Sequence, residues 1–88
     1  METQGKQTVE PAVDMRLDIT GDVCPITFVR TKLMIEGMEP GMVAEVRLNE
    51  GEPLQNVPRS VREHGHSILS LEPEDGTAGV WRLLLRKE

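Results

Sequence analysis

Four stretches of this 88-residue chain alternate apolar and polar side chains, and two stretches between them repeat apolar residues at helical spacing. The alternating stretches, which indicate strands, are residues 15–20, 42–48, 67–73 and 80–87. Short segments of Gly, Pro, Asn and Asp separate these elements, as expected for turns. The pattern predicts the order β-α-β-α-β-β, with a hairpin between the last two strands.

The first helical stretch begins at Pro25, which suits a first helical turn, and ends at Gly37, a plausible C-cap. Its predicted apolar stripe consists of Ile26, Val29 and Leu33, widened by Phe28 and Ile35.

The second helical stretch covers residues 53–65 and ends at Gly65, with Leu54, Val57 and Val61 on one face. Pro58 is easiest to place in a first turn capped by Asn56, so the regular helix is expected to start near residue 57. Two short amphipathic helices can cover one face of a four-stranded mixed sheet. The expected fold is therefore an α+β two-layer sandwich.

Composition restricts the class of protein. Residues 1–13 are polar and aperiodic, which predicts a mobile tail before a single domain at residues 14–88. The net charge of −5 disfavours nucleic acid as a direct partner, because phosphate contacts need a basic surface.

No signal sequence or membrane span is recognised, and the single cysteine is compatible with a reducing compartment. A cytoplasmic location is expected.

That cysteine, Cys24, stands between a predicted strand and the helix-starting Pro25. A lone cysteine is often a small buried hydrophobe, which is one interpretation. Helix N-termini also carry partial positive charge and free N–H donors that stabilise a thiolate, and Arg30 and Lys32 follow within two turns. Both interpretations remain open on the residues alone.

The remaining side chains limit what a reactive Cys24 can do. No second cysteine can resolve a disulfide within the chain. His64 and His66, at the end of the second helix, are more simply explained by local hydrogen bonds and match no usual metal-ligand spacing, so neither a metal site nor a cofactor is expected. A reactive Cys24 would therefore carry a group: a sulfur, an acyl group or a mixed disulfide.

The segments LDITGDVCP (17–25), EPGMVAEVRL (39–48), NVPRSVREHGHSILS (56–70) and WRLLLRK (81–87) resemble the TusA/SirA family of small sulfur-carrier proteins. The resemblance covers residues 15–87 and implies the same two-layer sandwich. It also implies that Cys24 holds a persulfide, with Pro25 as its positioning residue. The implied partners are a cysteine desulfurase or rhodanese-like donor and a downstream sulfur-acceptor protein, in tRNA thiolation or in sulfur metabolism.

The resemblance also suggests partner-binding residues, although this sequence differs from the family pattern at several positions. Lys32 falls where members carry a basic residue on the first helix, and Arg30 and Glu50 are further candidate partner-binding residues. The family's Cys-Pro-x-Pro motif is Cys-Pro-Ile-Thr here, so that Thr27 replaces the second proline. The loop 49–52 and Asn56 also differ from the Asp-rich pattern, which points to a divergent branch.

Two alternatives stand beside the sulfur carrier. One is a non-catalytic regulatory module that binds RNA or protein, for which Arg30, Arg59 and Arg62 would have to form a basic strip. The other is a plain adaptor in which Cys24 is buried and structural.

Overall fold

The computed structural model describes residues 13–23 and 25–88, so most of the predicted tail, residues 1–12, lies outside the described part. The described elements follow the predicted order, β-α-β-α-β-β. They are β1 (Met15–Asp18), α1 (Ile26–Glu36), β2 (Val43–Asn49), α2 (Glu52–Glu63), β3 (Ser67–Pro73) and β4 (Val80–Arg86).

The four strands form one sheet in the order β1-β2-β4-β3. β1 pairs with β2 in parallel, whereas β4 pairs antiparallel with both β2 and β3. The sheet is therefore mixed, and the predicted α+β sandwich is confirmed.

One face of the sheet forms the core with the helices. Alternate residues of β2 and β4 on this face are completely buried: Ala44, Val46, Leu48, Leu83 and Leu85. From α2, Val57 and Val61 pack into the same cluster, as their spacing predicts. On β3 a register shift between Ile68 and Ser70 lets Ile68 and Leu71 both contact the core although they are three residues apart.

α2 starts earlier than predicted. Its first residue is Glu52, after Gly51, whose φ of 97° lies in a region that side chains rarely adopt. Pro58 therefore lies inside the helix, not in its first turn, and Asn56 accepts a hydrogen bond from Arg59 at 2.7 Å instead of capping the helix. Pro58 is buried, and its ring removes one backbone hydrogen bond from the helix.

The orientation of α1 differs from the predicted one. Thr27, Thr31 and Ile35 are the buried residues of this helix. The predicted inward residues Ile26, Val29 and Leu33 are exposed by 47%, 42% and 62%. The Thr31 hydroxyl donates to the Thr27 carbonyl at 2.8 Å, so its burial leaves that hydroxyl with a partner.

Both ends of α1 are held by long basic side chains. At the C-terminal end, the Lys87 ammonium donates to the carbonyl of Met38 at 2.6 Å, and its position near the end of the helix is favourable to the helix dipole. At the N-terminal end, Arg30 donates to the Asp22 carboxylate at 2.5 Å. These contacts connect the two ends of α1 to the neighbouring parts of the chain.

The other face of the sheet is uncovered and carries ion pairs. Glu45, 8% exposed, lies between Arg16, at 3.5 Å, and Arg82, whose Nε donates at 3.0 Å. Arg47 donates two hydrogen bonds of 2.8 Å to Glu74 and one of 2.6 Å to Asp18. Charges of both signs therefore alternate across this face.

The orientation of α1 can be tested by truncating one residue on each side of the helix. Ile35→Ala should lower the free energy of unfolding by about 2–4 kcal/mol, because it leaves a cavity in the core. Leu33→Ala should change it by less than about 0.5 kcal/mol, because Leu33 is exposed. Urea unfolding at neutral pH measures both, and equal or reversed costs would contradict the observed orientation.

The ion pairs on the uncovered face predict a loss of stability in acid. Hydrogen bonds from Arg47 and then Thr77 lower the pKa of Glu74 from 4.5 to about 2. Because the folded pKa lies below the unfolded one, this contribution is fully present above about pH 4.5 and is lost as the pH falls towards 2. Urea titrations should therefore show a shallower decline for Glu74→Gln than for the wild type over that window, and identical slopes would refute the pairing.

Candidate functional site

The connection between β1 and α1 is built by local hydrogen bonds. The Asp18 carboxylate accepts bonds from the hydroxyl of Thr20, at 2.6 Å, and from its amide, at 2.9 Å. These two bonds, with a smaller contribution from Arg47, lower the pKa of Asp18. The Asp22 amide then donates to the Ile19 carbonyl at 3.1 Å, and Ile19 is completely buried. The loop is thus anchored before it reaches the helix.

Pro25 is the N-cap residue of α1, and the helix proper begins one residue later than predicted. The amides of Ile26 and Thr27 both donate to the carbonyl of Val23, at 2.8 and 3.3 Å, and the amide of Val29 donates to that of Pro25 at 3.0 Å. Val23 is 73% exposed, and Pro25 is exposed as well. The chain therefore turns at the surface as it enters the helix.

Cys24 lies between these two exposed residues in the sequence but outside the described residues. Its role as persulfide carrier therefore stays a prediction, as does the positioning role of Pro25. The predicted free N–H donors at the helix start are only partly available. The first two amides of α1 are both occupied by the Val23 carbonyl, so the helix dipole contributes there without these two donors.

The structure places Arg30 next to this loop. Its guanidinium donates to the Asp22 carboxylate at 2.5 Å and lies 3.5 Å from the Asp18 carbonyl. Because Asp22 balances its charge, Arg30 supplies less positive potential to the loop than an unpaired cation would. Its observed contacts hold the loop against the helix.

Lys32 lies on a different side of α1. It borders a groove of about 70 Å³ between the two helices, and it makes no ion pair with the described residues. Across this groove the rings of Phe28 and His64 are 6.0 Å apart between centroids. The remaining residues around the groove are Thr31, Ile35, Glu36, Ser60, Val61 and His66.

Glu50 lies at the same edge of the sheet as the start of α1. Parallel pairing of β1 and β2 brings the carboxyl ends of both strands to one edge. The Asn49 side chain fastens them together by donating to the Thr20 carbonyl at 2.7 Å. Glu50 follows directly, with its side chain exposed and its amide donating to the Gly79 carbonyl at 2.9 Å. Of the predicted partner residues, Glu50 thus belongs to a connection at this edge, Arg30 of α1 contacts the other connection, and Lys32 borders the helix groove.

The sequence pattern did not predict an exposed apolar surface at α1 and just before it. We call Val23, Ile26, Val29 and Leu33 the outer stripe, since all four are exposed and the last three share the outward side of α1. Their spacing is equally compatible with an inward stripe. A second series of residues at helical spacing could have distinguished the outward from the inward orientation of the stripe. This series consists of the buried residues Thr27, Thr31, Ile35 and Met38.

The two histidines have structural partners at the end of α2. The amides of Gly65 and His66 donate to the carbonyls of Arg62 and Val61, at 2.9 and 3.1 Å, as in a Schellman motif. His64 Nδ1 donates to the Ser60 carbonyl at 2.8 Å, and His66 Nδ1 accepts from the Glu88 amide at 3.1 Å. Within residues 13–23 and 25–88, no cluster of His, Cys, Asp or Glu is suited to hold a metal ion.

Neither α1 nor α2, the two helices of the described residues, is long and apolar enough to pass through a membrane.

Comparison with known proteins gives a consistent result. Residues 15–87 match the family described as sulfurtransferase TusA. A relative from Archaeoglobus fulgidus named "Putative sulfur carrier protein" is 40% identical over 82% of this chain and 80% of its own length. A relative of the same name from Thermotoga maritima is 35% identical over 84% of this chain and 91% of its own length. YedF of Escherichia coli K12, with the same description, is 30% identical over 84% and 92%.

A solved structure shares the fold. The crystal structure of a SirA-like protein from Desulfitobacterium hafniense superposes with a TM-score of 0.69 at 26% identity. The superposition covers 82% of this chain and 95% of that protein. The sequence and fold comparisons agree, and the chain belongs to the TusA family of sulfurtransferases.

Proposed function

We propose that the protein is a sulfur carrier that holds a persulfide on Cys24 and passes it between partner proteins. One observation carries the proposal: the only cysteine of a TusA-family chain lies directly between two exposed residues, Val23 and Pro25, at the start of α1. A carrier needs its thiol within reach of two other proteins in turn. The exposure of both sequence neighbours, Val23 and Pro25, supports such access.

The transfer is a thiol–disulfide type of exchange with no net oxidation. The Cys24 thiolate attacks the terminal sulfur of a donor persulfide. The S–S bond of the donor breaks, its electron pair leaves with the donor thiolate, and a new S–S bond forms on Cys24. In the second step a thiolate of the acceptor attacks the terminal sulfur on Cys24, which regenerates the Cys24 thiolate.

The surroundings of the loop support both steps. The positive end of the α1 dipole favours an anionic sulfur before and after transfer. Arg30, held by Asp22, ties the helix to the loop and limits its movement while a partner binds. Thr27 is completely buried, so the replacement of the motif's second proline changes the packing under the helix and not the exposed surface.

The donor in this proposal is a cysteine desulfurase or a rhodanese-like protein, and the acceptor is a protein of tRNA thiolation or of sulfur metabolism. The reaction takes place in the cytoplasm, where a lone thiol stays reduced. No cofactor is required, because the sulfur is itself the cargo.

The alternative of an RNA-binding module has less support. Such a module needs a continuous basic surface. Of the three arginines predicted for such a strip, Arg30 is paired with Asp22, whereas Arg59 and Arg62 have no ion pair among the described residues. On the uncovered sheet face, Arg47 and Arg82 are paired with carboxylates.

Sulfur loading tests the proposal directly. The protein is incubated with a cysteine desulfurase and L-cysteine, or with a rhodanese and thiosulfate, and its intact mass is measured. The wild type should gain one sulfur atom, removable by dithiothreitol, and Cys24→Ser should gain none. A wild type that gains no sulfur from several donors of both classes would refute the proposal.

The accessibility of Cys24 provides the second measurement. A small alkylating reagent should modify Cys24 in the native protein at a rate close to that in urea. Very slow native modification together with no sulfur loading would instead support a buried structural cysteine.

A further inference from the structure

We propose that the ion pair between Asp22 and Arg30 sets how strongly the Cys24 sulfur is held as an anion, and so keeps that residue able both to accept and to release a sulfur atom. Asp22 and Arg30 act on Cys24 from outside the reaction, as positioning residues. The inference rests on the proposed function and assigns a role to two side chains outside the Cys-Pro-x-Pro motif.

The pair joins the first helix to the loop that leads to Cys24. Arg30 lies in the second turn of α1, and its Nη1 donates to the Asp22 carboxylate at 2.5 Å. The same nitrogen lies 3.5 Å from the Asp18 carbonyl oxygen. Asp22 is itself placed by its amide, which donates to the carbonyl of the buried Ile19 at 3.1 Å. The two charges are therefore held by the elements that come before and after Cys24 in the chain.

The charges of the pair act on Cys24 at short range. Asp22 precedes Cys24 by two residues, so their Cα atoms are at most about 7 Å apart. This distance is below the Debye length of about 8 Å at physiological ionic strength, so salt does not fully screen the interaction. The side chains of Asp22 and Arg30 are 24% and 46% exposed, so solvent reduces their fields only in part. A change in either charge should therefore alter the stability of an anionic sulfur on Cys24.

The other charged and titratable groups around this connection stay the same when the pair is changed. On the sheet side, Arg47 donates to the Asp18 carboxylate at 2.6 Å, and Glu50 is exposed at the same edge. On the helix side, Lys32 and His64 border the groove between α1 and α2. A comparison of variants of the pair therefore cancels the contributions of these groups to any pH dependence.

The value of the pairing follows from the two transfer steps. In loading, the Cys24 thiolate attacks the terminal sulfur of the donor. In release, the acceptor attacks the terminal sulfur on Cys24, the S–S bond breaks, and its electron pair leaves with Cys24. An Asp22 carboxylate without its partner would reduce the thiolate fraction and slow that departure. An Arg30 cation without its partner would speed departure but weaken the attack, because nucleophilicity falls with the thiol pKa.

The pH dependence of alkylation tests the effect of the pair on Cys24. Iodoacetamide is uncharged, so its reaction rate follows the thiolate without attraction by the charges of the protein. Asp22→Asn should shift the midpoint of the rate profile to lower pH and raise the rate at pH 7 by about twofold. Arg30→Gln should shift the midpoint to higher pH and lower that rate by about twofold. The double variant Asp22→Asn/Arg30→Gln should return to the wild-type profile.

Two controls separate the charge of the pair from a general loss of stability. Arg30→Lys keeps a positive charge opposite Asp22 and should keep the wild-type midpoint. Arg86→Gln removes an arginine of the same 46% exposure from its ion pair with Glu88, at the end of the sheet where β2 begins, and should leave the profile unchanged.

Release of sulfur is measured on the persulfide itself. The protein is loaded with a cysteine desulfurase and L-cysteine, separated from small thiols by gel filtration and treated with cyanide. Cyanide takes the terminal sulfur as thiocyanate and leaves the Cys24 thiolate. Thiocyanate should form about twofold faster than in the wild type from Asp22→Asn and about twofold slower from Arg30→Gln, because a thiolate of lower pKa leaves faster.

The direction of the changes decides the inference. Shifts of the same sign in the two single variants would show that the pair only orders the loop, and this result would overturn the proposed role. Normal sulfur loading with unchanged profiles in both variants would refute the role of the pair alone. A wild type that gains no sulfur from several donors would refute the proposed function, and the role of the pair in transfer with it.

Discussion

The rest of the molecule depends on which side of α1 is buried, and that side consists of Thr27, Thr31 and Ile35. The Thr31 hydroxyl finds its partner one turn back, in the Thr27 carbonyl, so polar side chains can be buried here without an unpaired group. Ile35 supplies the apolar contact. Because this side of the helix faces inwards, the opposite side must present its apolar residues to the solvent.

The parallel pair of β1 and β2 sets the second constraint. It brings the ends of both strands to one edge, where the Asn49 side chain fastens the two connections by donating to the Thr20 carbonyl. The turn before α1 and the turn with Glu50 are consequently parts of one surface. Ion pairs occupy the uncovered sheet face, so the apolar surface and the cysteine-bearing connection are both associated with the first helix and its start.

Much of the fold could be predicted from the sequence, because alternation in strands such as Val43–Asn49 reports burial on one face. The orientation of α1 was predicted wrongly, since two series of residues repeat at helical spacing and hydrophobicity alone selects the wrong one. The early start of α2 depends on the conformation of Gly51, which its type permits but does not require. For the site, the Cys-Pro pair was visible in the sequence. The pairing of Arg30 with Asp22 was not, because it depends on how the loop folds back.

The electrostatics of the helix start fit a carrier better than a strongly activated nucleophile. A thiolate that is stabilised too well is a weaker attacking group, since nucleophilicity falls as the thiol pKa falls. Here the amides of Ile26 and Thr27 are taken by the Val23 carbonyl, and the charge of Arg30 is balanced by Asp22. The described surroundings of the helix start therefore offer an anion the helix dipole, but neither of these two amides nor an unbalanced Arg30 charge. Such a moderate attraction suits a sulfur carrier, which has to release its cargo as well as accept it.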